Sequence, residues 1–187
     1  MAAPATIFHF KIDLSDLEQG VYEHLDFRVA QHPSESVPYL LTRILAYVLN
    51  VSEGADFVAG GLSDPDLAAL SASDLVGNLK LLIEIGNPSP RRLHKASKSA
   101  PKVKVYTYKN PDVLLRSMQA EHVHRASNIE IYALAPEFLA LLATWLDREN
   151  MWSVVYADGT LLVNAGTRSA QGELRQLSMS GLGQVKS

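Results

Sequence analysis

Leu79-Lys80-Leu81-Leu82-Ile83-Glu84-Ile85 is the stretch on which the fold depends, because it is the best strand candidate in the chain. Its apolar residues point to both sides, which is typical of a central strand covered by helices. Glu84 is the exception, an acidic residue near the end of the run. Burying a carboxylate is costly unless a cation or a hydrogen-bond donor meets it. The stretch therefore predicts a central strand with a partnered acid.

A second acidic element lies upstream of this strand. Asp64-Pro65-Asp66 forms a loop, and Asp66 precedes Glu84 by eighteen residues. A hairpin that brought the two carboxylates together would need a cation between them, and Mg²⁺ takes such oxygen ligands. Two alternatives stay open from the residues alone: an ordinary loop tripeptide, and an ion pair between Glu84 and a nearby lysine or arginine.

The segment after the strand predicts a basic helix. Ser89 is a suitable N-cap and Pro90 a suitable first residue. Basic side chains then recur at i, i+4 and i+7, at Arg91, Lys95 and Lys98. Such a stripe suits an anionic substrate, and the alternative is a solvated helix face.

The rest of the chain alternates between strand and helix patterns. Period-two alternation predicts half-buried strands over Ile7 to Leu14 and Val21 to Val29. An apolar stripe at helical spacing predicts a helix from Val37 to Leu49, with Ser34 or Ser36 as its N-cap. Strand and helix patterns alternate further on, and Asp158-Gly159 predicts a tight hairpin. We expect an α/β fold with a mixed sheet flanked by helices and extended by antiparallel hairpins at its edges.

Composition bounds the class of protein. The 187 residues suit one domain, 1–187, with a loose tail over 180–187. The chain has no cysteine, which excludes disulfides, and no apolar run reaches the ~18 residues of a membrane span. We therefore expect a cytoplasmic protein whose oligomeric state the sequence leaves open. The net charge of −3 hides a contrast, because residues 1–90 hold 4 basic and 12 acidic residues and residues 91–187 hold 13 and 8.

Several strings together resemble the bacterial YaeQ family over nearly the whole chain. They are His32-Pro33-Ser34-Glu35, the leucine-rich helix after it, Ile83-Glu84-Ile85-Gly86-Asn87-Pro88, Arg91-Arg92-Leu93-His94-Lys95-Ala96 and Tyr106-Thr107-Tyr108. This family is described as a variant of the PD-(D/E)xK nuclease fold, whose core resembles that of restriction endonucleases. In that superfamily acidic residues bind Mg²⁺ and a lysine acts on the attacking water.

The resemblance implies a role for individual residues. Pro65-Asp66 resembles the proline-aspartate element, Glu84 the second acid and Glu35 the helical glutamate of some members, so these three acids would bind Mg²⁺ or Mn²⁺. The superfamily lysine would fall at Gly86, so Lys95 is our choice for its role and Arg92 the second choice. Arg91, Arg92 and Lys98 would bind phosphates.

Two functions follow as expectations. The first is a metal-dependent phosphodiesterase or nuclease that acts on nucleic acid, with Asp66, Glu84 and Lys95 as catalytic residues. The alternative is a non-catalytic module that binds nucleic acid or protein and retains the nuclease fold. Three carboxylates and a nearby lysine favour the enzyme, whereas Gly86 and the net charge of −3 favour the binding module.

Overall fold

The computed structural model describes residues 5–60, 64 and 66–179. In chain order its elements are β1 (Thr6–Asp16), β2 (Val21–Gln31), α1 (Val37–Asn50), a 3₁₀ turn (Val51–Glu53), β3 (Asp56–Phe57), β4 (Leu70–Ser73), β5 (Leu79–Ile85), α2 (Pro90–Ser99), β6 (Lys102–Thr107), α3 (Pro111–Ala120), a second 3₁₀ turn (Ala126–Asn128), β7 (Ile129–Leu134), α4 (Pro136–Ala143), β8 (Glu149–Ala157), β9 (Thr160–Ala165) and β10 (Arg168–Leu177). Pro65 and the predicted loose tail over 180–187 lie outside the described residues.

The described strands form one mixed sheet in the order β2-β1-β8-β9-β10-β7-β6-β5-β4-β3. The neighbours β5, β6 and β7 run parallel to one another, and β1 runs parallel to β8. The remaining neighbours are antiparallel. The predicted mixed α/β sheet is confirmed, and β5 lies inside it between β4 and β6.

Helices cover both faces of this sheet. On one face, buried residues of α1 and α4 pack with Leu81, Ile83 and Ile85 of β5. On the other face, α2 and α3 pack with Val103 and Val105 of β6. Because successive strand residues point to opposite faces, Glu84 lies on the α2 side. No helix among the described residues is long and apolar enough to cross a membrane.

The start of α1 follows the expected capping chemistry. Ser36 has an extended backbone, and its side chain accepts a hydrogen bond from the Tyr39 N–H at 3.3 Å. Pro38 stands in the first turn, where its missing N–H costs no helical hydrogen bond. Ser36 is therefore the cap, and Glu35 lies just before the helix.

The closing hairpin corrects one expectation. Asp158 and Gly159 form the predicted turn, with φ angles of 49° and 69°. The hairpin was expected at a sheet edge, but β8 pairs with β1 and β9 pairs with β10, so both strands are interior. The reason is that β8 pairs with β1, which is distant in sequence, and that β9 pairs with β10, the next strand along the chain. Gly172 of β10 permits the close approach of α4, since a Cβ there would lie 2.4 Å from the Phe138 ring.

His9 of β1 links three neighbouring strands, β2, β1 and β8. Its Nε2 lies 2.6 Å from Asp26 Oδ1 on β2, and its Nδ1 lies 2.6 Å from Glu149 Oε2 on β8. The hydrogen bonds to the two carboxylates raise the pKa of His9 above its ordinary value of 6.5.

We expect His9 to make stability depend on pH. A histidine whose folded pKa is raised stabilises the native state fully below its unfolded pKa, and this contribution is lost as the pH rises through the folded pKa. His9→Gln should therefore be less stable than wild type at pH 6, and the difference should shrink toward pH 8.5 and above. Urea unfolding across this range measures it, and a difference independent of pH would contradict it.

Candidate acidic and basic site around Glu84

Glu84 is buried where β5 meets α2. Only 4% of its surface is exposed, and its main-chain neighbour across the sheet is Val105 of β6. Burial raises the pKa of the Glu84 carboxyl to about 7, although the Arg92 guanidinium opposes the rise. A carboxyl group with this pKa is near its titration midpoint at neutral pH, as perturbed groups at functional sites often are.

Arg92 is the partner that meets Glu84. Ser89 caps α2, which puts Arg92 in its first turn and on the sheet side. Arg92 Nε donates to Glu84 Oε2 at 2.7 Å. Its Nη2 also donates to the main-chain carbonyl of Leu67. One guanidinium thus joins β5 to the segment that carries Asp66.

Asp66 and Lys95 form a second, exposed pair beside the first. Lys95 Nζ lies 3.2 Å from Asp66 Oδ1, and both side chains are more than half exposed. Such a surface pair contributes little stability, roughly 0–1 kcal/mol. Lys95 therefore neutralises Asp66 without locking it, and both groups stay accessible to a ligand.

Glu35 is held by its own arginine. Arg43 donates to both Glu35 oxygens at 2.9 Å, and the Glu35 side chain is 0% exposed. The His32 N–H donates a further hydrogen bond to Glu35 Oε2. Burial raises the pKa of Glu35 against the effect of Arg43. Its two oxygens are thus taken up by donors.

Tyr39 is affected by the charges of both ion pairs. Burial raises its pKa to about 12, and the charges of Arg43, Glu84, Glu35 and Arg92 all act on its hydroxyl group. The structure therefore brings Glu35 and Glu84 into one region, but each is paired with a separate arginine. Asp66 is connected to this region by its ion pair with Lys95. The next residue, Leu67, accepts a hydrogen bond from Arg92 at its main-chain carbonyl.

Asp66, Glu84 and Glu35 are not placed so that they could bind one divalent cation together. No group of three or more Asp, Glu, His or Cys side chains among residues 5–60, 64 and 66–179 is arranged to hold a metal ion. Asp66, Glu84 and Glu35, which the resemblance implied as ligands of Mg²⁺ or Mn²⁺, instead each contact a basic side chain.

The glycine in the expected lysine position has a conformational reason. Gly86 has a φ of +79°, and its N–H donates to the Tyr106 carbonyl at 2.8 Å. L-residues such as lysine are strained in this left-handed region. The turn that ends β5 therefore requires glycine, and basic side chains reach Glu84 from α2 instead.

A basic surface lies along α2 and the loop before β7. Arg91, Lys98 and Arg125 are exposed, and none of them forms an ion pair with a residue that the structure describes. The centre of the His124 ring lies 5.8 Å from that of the His94 ring. The main-chain N–H of His124 donates a hydrogen bond to His94 Nδ1. Burial, Arg125, Lys98 and His94 lower the pKa of His124.

Sequence reasoning missed the loop part of this surface. His94 and Arg125 lie far apart in the chain, and Arg125 has a φ of 50°, which no local pattern predicted. We call Arg91, His94, Lys98, His124 and Arg125 the α2 surface. Its predicted members Arg91 and Lys98 are exposed, whereas Arg92 faces Glu84.

A second charged network was also missed, and it occupies the α1 face of the sheet. Lys104 is 5% exposed, and its Nζ donates to Asn50 Oδ1 at 2.5 Å and to Glu53 Oε1 at 2.6 Å. Lys102 donates to Glu53 at 2.8 Å, and Glu130 lies 3.7 Å from Lys102. Glu53, Lys102, Lys104 and Glu130 line a cavity of about 330 Å³.

This network divides the basic segment from Arg91 to Lys104. Arg91 and Lys98 face solvent on α2, whereas Lys102 and Lys104 turn toward Glu53 on the α1 side of the sheet. Alternation along β6 sets this division, because Val103 and Val105 point to the α2 side. Only part of the basic segment therefore contributes to one surface.

The comparisons with known proteins agree on one family. The YaeQ protein family matches residues 1–174. The chain is 29% identical to YaeQ of Escherichia coli strain K12 over 163 residues, which cover 86% of this chain and 89% of that protein. It is 26% identical to YaeQ of Salmonella typhi over 162 residues, with 86% and 89% covered.

Two crystal structures share its fold. The YaeQ protein from Pseudomonas syringae superposes with a TM-score of 0.86 at 30% identity, over 95% of this chain and 98% of that chain. The YaeQ protein from Xanthomonas axonopodis pv. citri gives a TM-score of 0.82 at 26% identity, over 91% and 98%. The match over residues 1–174 shows that this chain belongs to the YaeQ family.

Proposed function

We propose that this protein is a nucleic-acid-binding module that contacts phosphates through the α2 surface. The observation that carries the proposal is the contrast between two sets of charges. The acids at the candidate site are each paired with a basic side chain. Arg91, Lys98 and Arg125, in contrast, are exposed and form no ion pair with a described residue, so their charge is available to an anion.

The dimensions of α2 suit a phosphate backbone. The step from Arg91 to Lys98 spans seven residues, which is about 10 Å along a helix. Phosphates of one strand of a duplex recur about every 3.4 Å along the axis. Arg91 and Lys98 can therefore contact different phosphates of one strand. Arg125 adds a third positive charge, which acts on His124 together with that of Lys98. Contacts of this kind position a nucleic acid without reading its sequence.

The order of elements supports the expected relation to nucleases. A helix, α1, is followed by β3, β4 and β5, then by α2 and β6, and Glu84 stands near the end of the third of these strands. The resemblance to the PD-(D/E)xK superfamily implies a core of a helix, a strand hairpin, and further strands and helices around a mixed sheet, and the order of these elements is consistent with it. We propose that the protein keeps this framework and uses it to bind nucleic acid.

Charge reversal on α2 tests the proposal. Arg91→Glu combined with Lys98→Glu should weaken binding to a labelled 20-base-pair DNA or a 20-nucleotide RNA by about 10- to 100-fold near 0.1 M salt. The slope of log K against log salt should fall by about 2, since each phosphate contact contributes about 1. Fluorescence anisotropy at several salt concentrations measures both quantities.

The matched control makes the same charge change elsewhere. Lys11→Glu combined with Arg28→Glu alters exposed residues of β1 and β2, and it should leave the affinity within about threefold of wild type by weak long-range effects. Equal losses in both double variants would indicate a net-charge effect. The absence of wild-type binding to both nucleic acids would refute the proposed function.

A second candidate is a metal-dependent phosphodiesterase or nuclease that uses Mg²⁺ or Mn²⁺. It is favoured by one observation, the convergence of Glu84 and the Leu67 carbonyl on a single cationic group beside Asp66 and Lys95. Cleavage of a DNA and RNA panel in either metal, lost in Glu84→Gln and in Lys95→Ala, would support this candidate over a binding module. Binding without cleavage would support the module.

A further inference from the structure

The Arg92 guanidinium occupies the point where two acidic segments of the site approach each other. It donates to Glu84 on β5 at 2.7 Å and also to the Leu67 carbonyl, one residue beyond Asp66. The Arg92 side chain is 28% exposed, and that of Glu84 is 5% exposed. A carboxylate oxygen and a main-chain carbonyl oxygen are both ligands that a hard divalent cation would take.

The ionised form of Glu84 requires a nearby cation, because an isolated buried carboxylate is strongly disfavoured. A tethered guanidinium has two advantages over a metal ion at this position. Guanidinium is weakly hydrated and its planar fork matches carboxylate and carbonyl acceptors, whereas Mg²⁺ gives up its water reluctantly. The helix N-cap at Ser89 also fixes the start of α2, so Arg92 is held beside Glu84 without the entropy cost of binding a free ion.

We propose that Arg92 is the resident cation of this site, and that it takes the place of a divalent metal between Glu84 and the Leu67 carbonyl. The site in the wild-type protein then binds no divalent cation. Removal of the guanidinium exposes oxygens of Glu84 and Leu67 next to Asp66 and creates a site for Mn²⁺. The inference deepens the proposed function, because it explains how the nuclease framework can persist without its metal.

The inference is tested with Mn²⁺ on four proteins: wild type, Arg92→Ala, Arg91→Ala and Arg92→Ala combined with Glu84→Gln. The loss of free Mn²⁺ signal in electron paramagnetic resonance measures binding. We expect Arg92→Ala to bind one equivalent and its Tm to rise by about 3–5 °C at tenfold excess over Kd. Wild type, Arg91→Ala and the double variant should show neither effect.

Arg91→Ala is the matched control because it removes the adjacent arginine, which is exposed and does not contact Glu84. If Arg92→Ala does not fold, Arg92→Gln replaces it, since its amide can still donate one hydrogen bond to Glu84 or Leu67 while the charge is gone. Mn²⁺ binding by wild type that Glu84→Gln abolishes would overturn the inference. So would an absence of Mn²⁺ binding in the folded Arg92 variant.

The outcome is separable from that of the proposed function. Nucleic-acid affinity is measured on the same wild-type protein with EDTA and with Mn²⁺, and the α2 surface predicts equal values within about twofold apart from screening. Failure of the Mn²⁺ test with intact binding would reject the role of Arg92 alone. Failure of nucleic-acid binding with the predicted Mn²⁺ behaviour would reject only the α2 surface.

Discussion

Arg43→Ala is expected to lower the free energy of unfolding by about 3–5 kcal/mol, the range for removing one partner of a buried ion pair. The Glu35 carboxylate would lose both guanidinium hydrogen bonds while its side chain remains 0% exposed. Arg43 also donates to the Ala30 carbonyl at the end of β2, so the link between β2 and α1 is lost too. Urea unfolding at pH 7 measures the change.

Two further variants test whether the loss of stability comes from the broken ion pair. Arg91→Ala removes an exposed arginine and should change stability by less than about 0.5 kcal/mol. Arg43→Met combined with Glu35→Leu should recover most of the loss, because replacing both members of a buried pair with apolar groups is often neutral. A loss below about 1 kcal/mol in Arg43→Ala would mean that Glu35 finds another partner or water. The predicted metal-binding role of Glu35 would then regain support.

Lys104→Ala is expected to cost about 3 kcal/mol, at the low end for a buried pair because Glu53 keeps Lys102 as a partner. Asn50 Oδ1 would lose its ammonium donor at a position that is 0% exposed. An unpaired buried acceptor of this kind carries a desolvation penalty. Thermal and urea unfolding measure the loss.

Lys102→Ala is the matched control on the same strand and network. Its side chain is 38% exposed, so its pair with Glu53 is screened by water and should contribute less than about 1 kcal/mol. Lys104→Met should be milder than Lys104→Ala, since it retains the volume of the lysine stem. Equal effects of Lys102→Ala and Lys104→Ala would contradict the central position assigned to Lys104.

Glu84 shows how much of the environment of a buried acid can be predicted from the sequence. The apolar run around Glu84 indicated that the carboxylate would need a cation, and the helix that follows supplied basic candidates. The sequence could not choose between a metal ion, Lys95 and Arg92, since the choice depends on distances of a few ångströms. The structure pairs Glu84 with Arg92 and leaves Lys95 to Asp66.

Glu35 is a second buried acid whose partner could not be predicted from the sequence. The cap candidates Ser34 and Ser36 put it at the start of α1, and the resemblance implied a metal ligand. The structure pairs it with Arg43, which lies two turns into α1 and on its buried side. Nothing in the helical pattern distinguishes an arginine that faces a carboxylate from one that faces solvent, because the pairing depends on how β2 leads into the helix.

Local patterns in the sequence determined the elements of this protein: strands alternating with helices, the cap at Ser89 and the turn at Asp158-Gly159. They limited the cap of α1 to Ser34 or Ser36, and the structure uses Ser36. These features depend on side-chain periodicity and on backbone preferences that act over a few residues. Tertiary structure alone decided that β8 and β9 are interior strands and that Lys104 is buried against Asn50 and Glu53. It also decided which cation meets each acid, because those contacts join residues distant in sequence, and their energies depend on burial and geometry that a linear pattern does not contain.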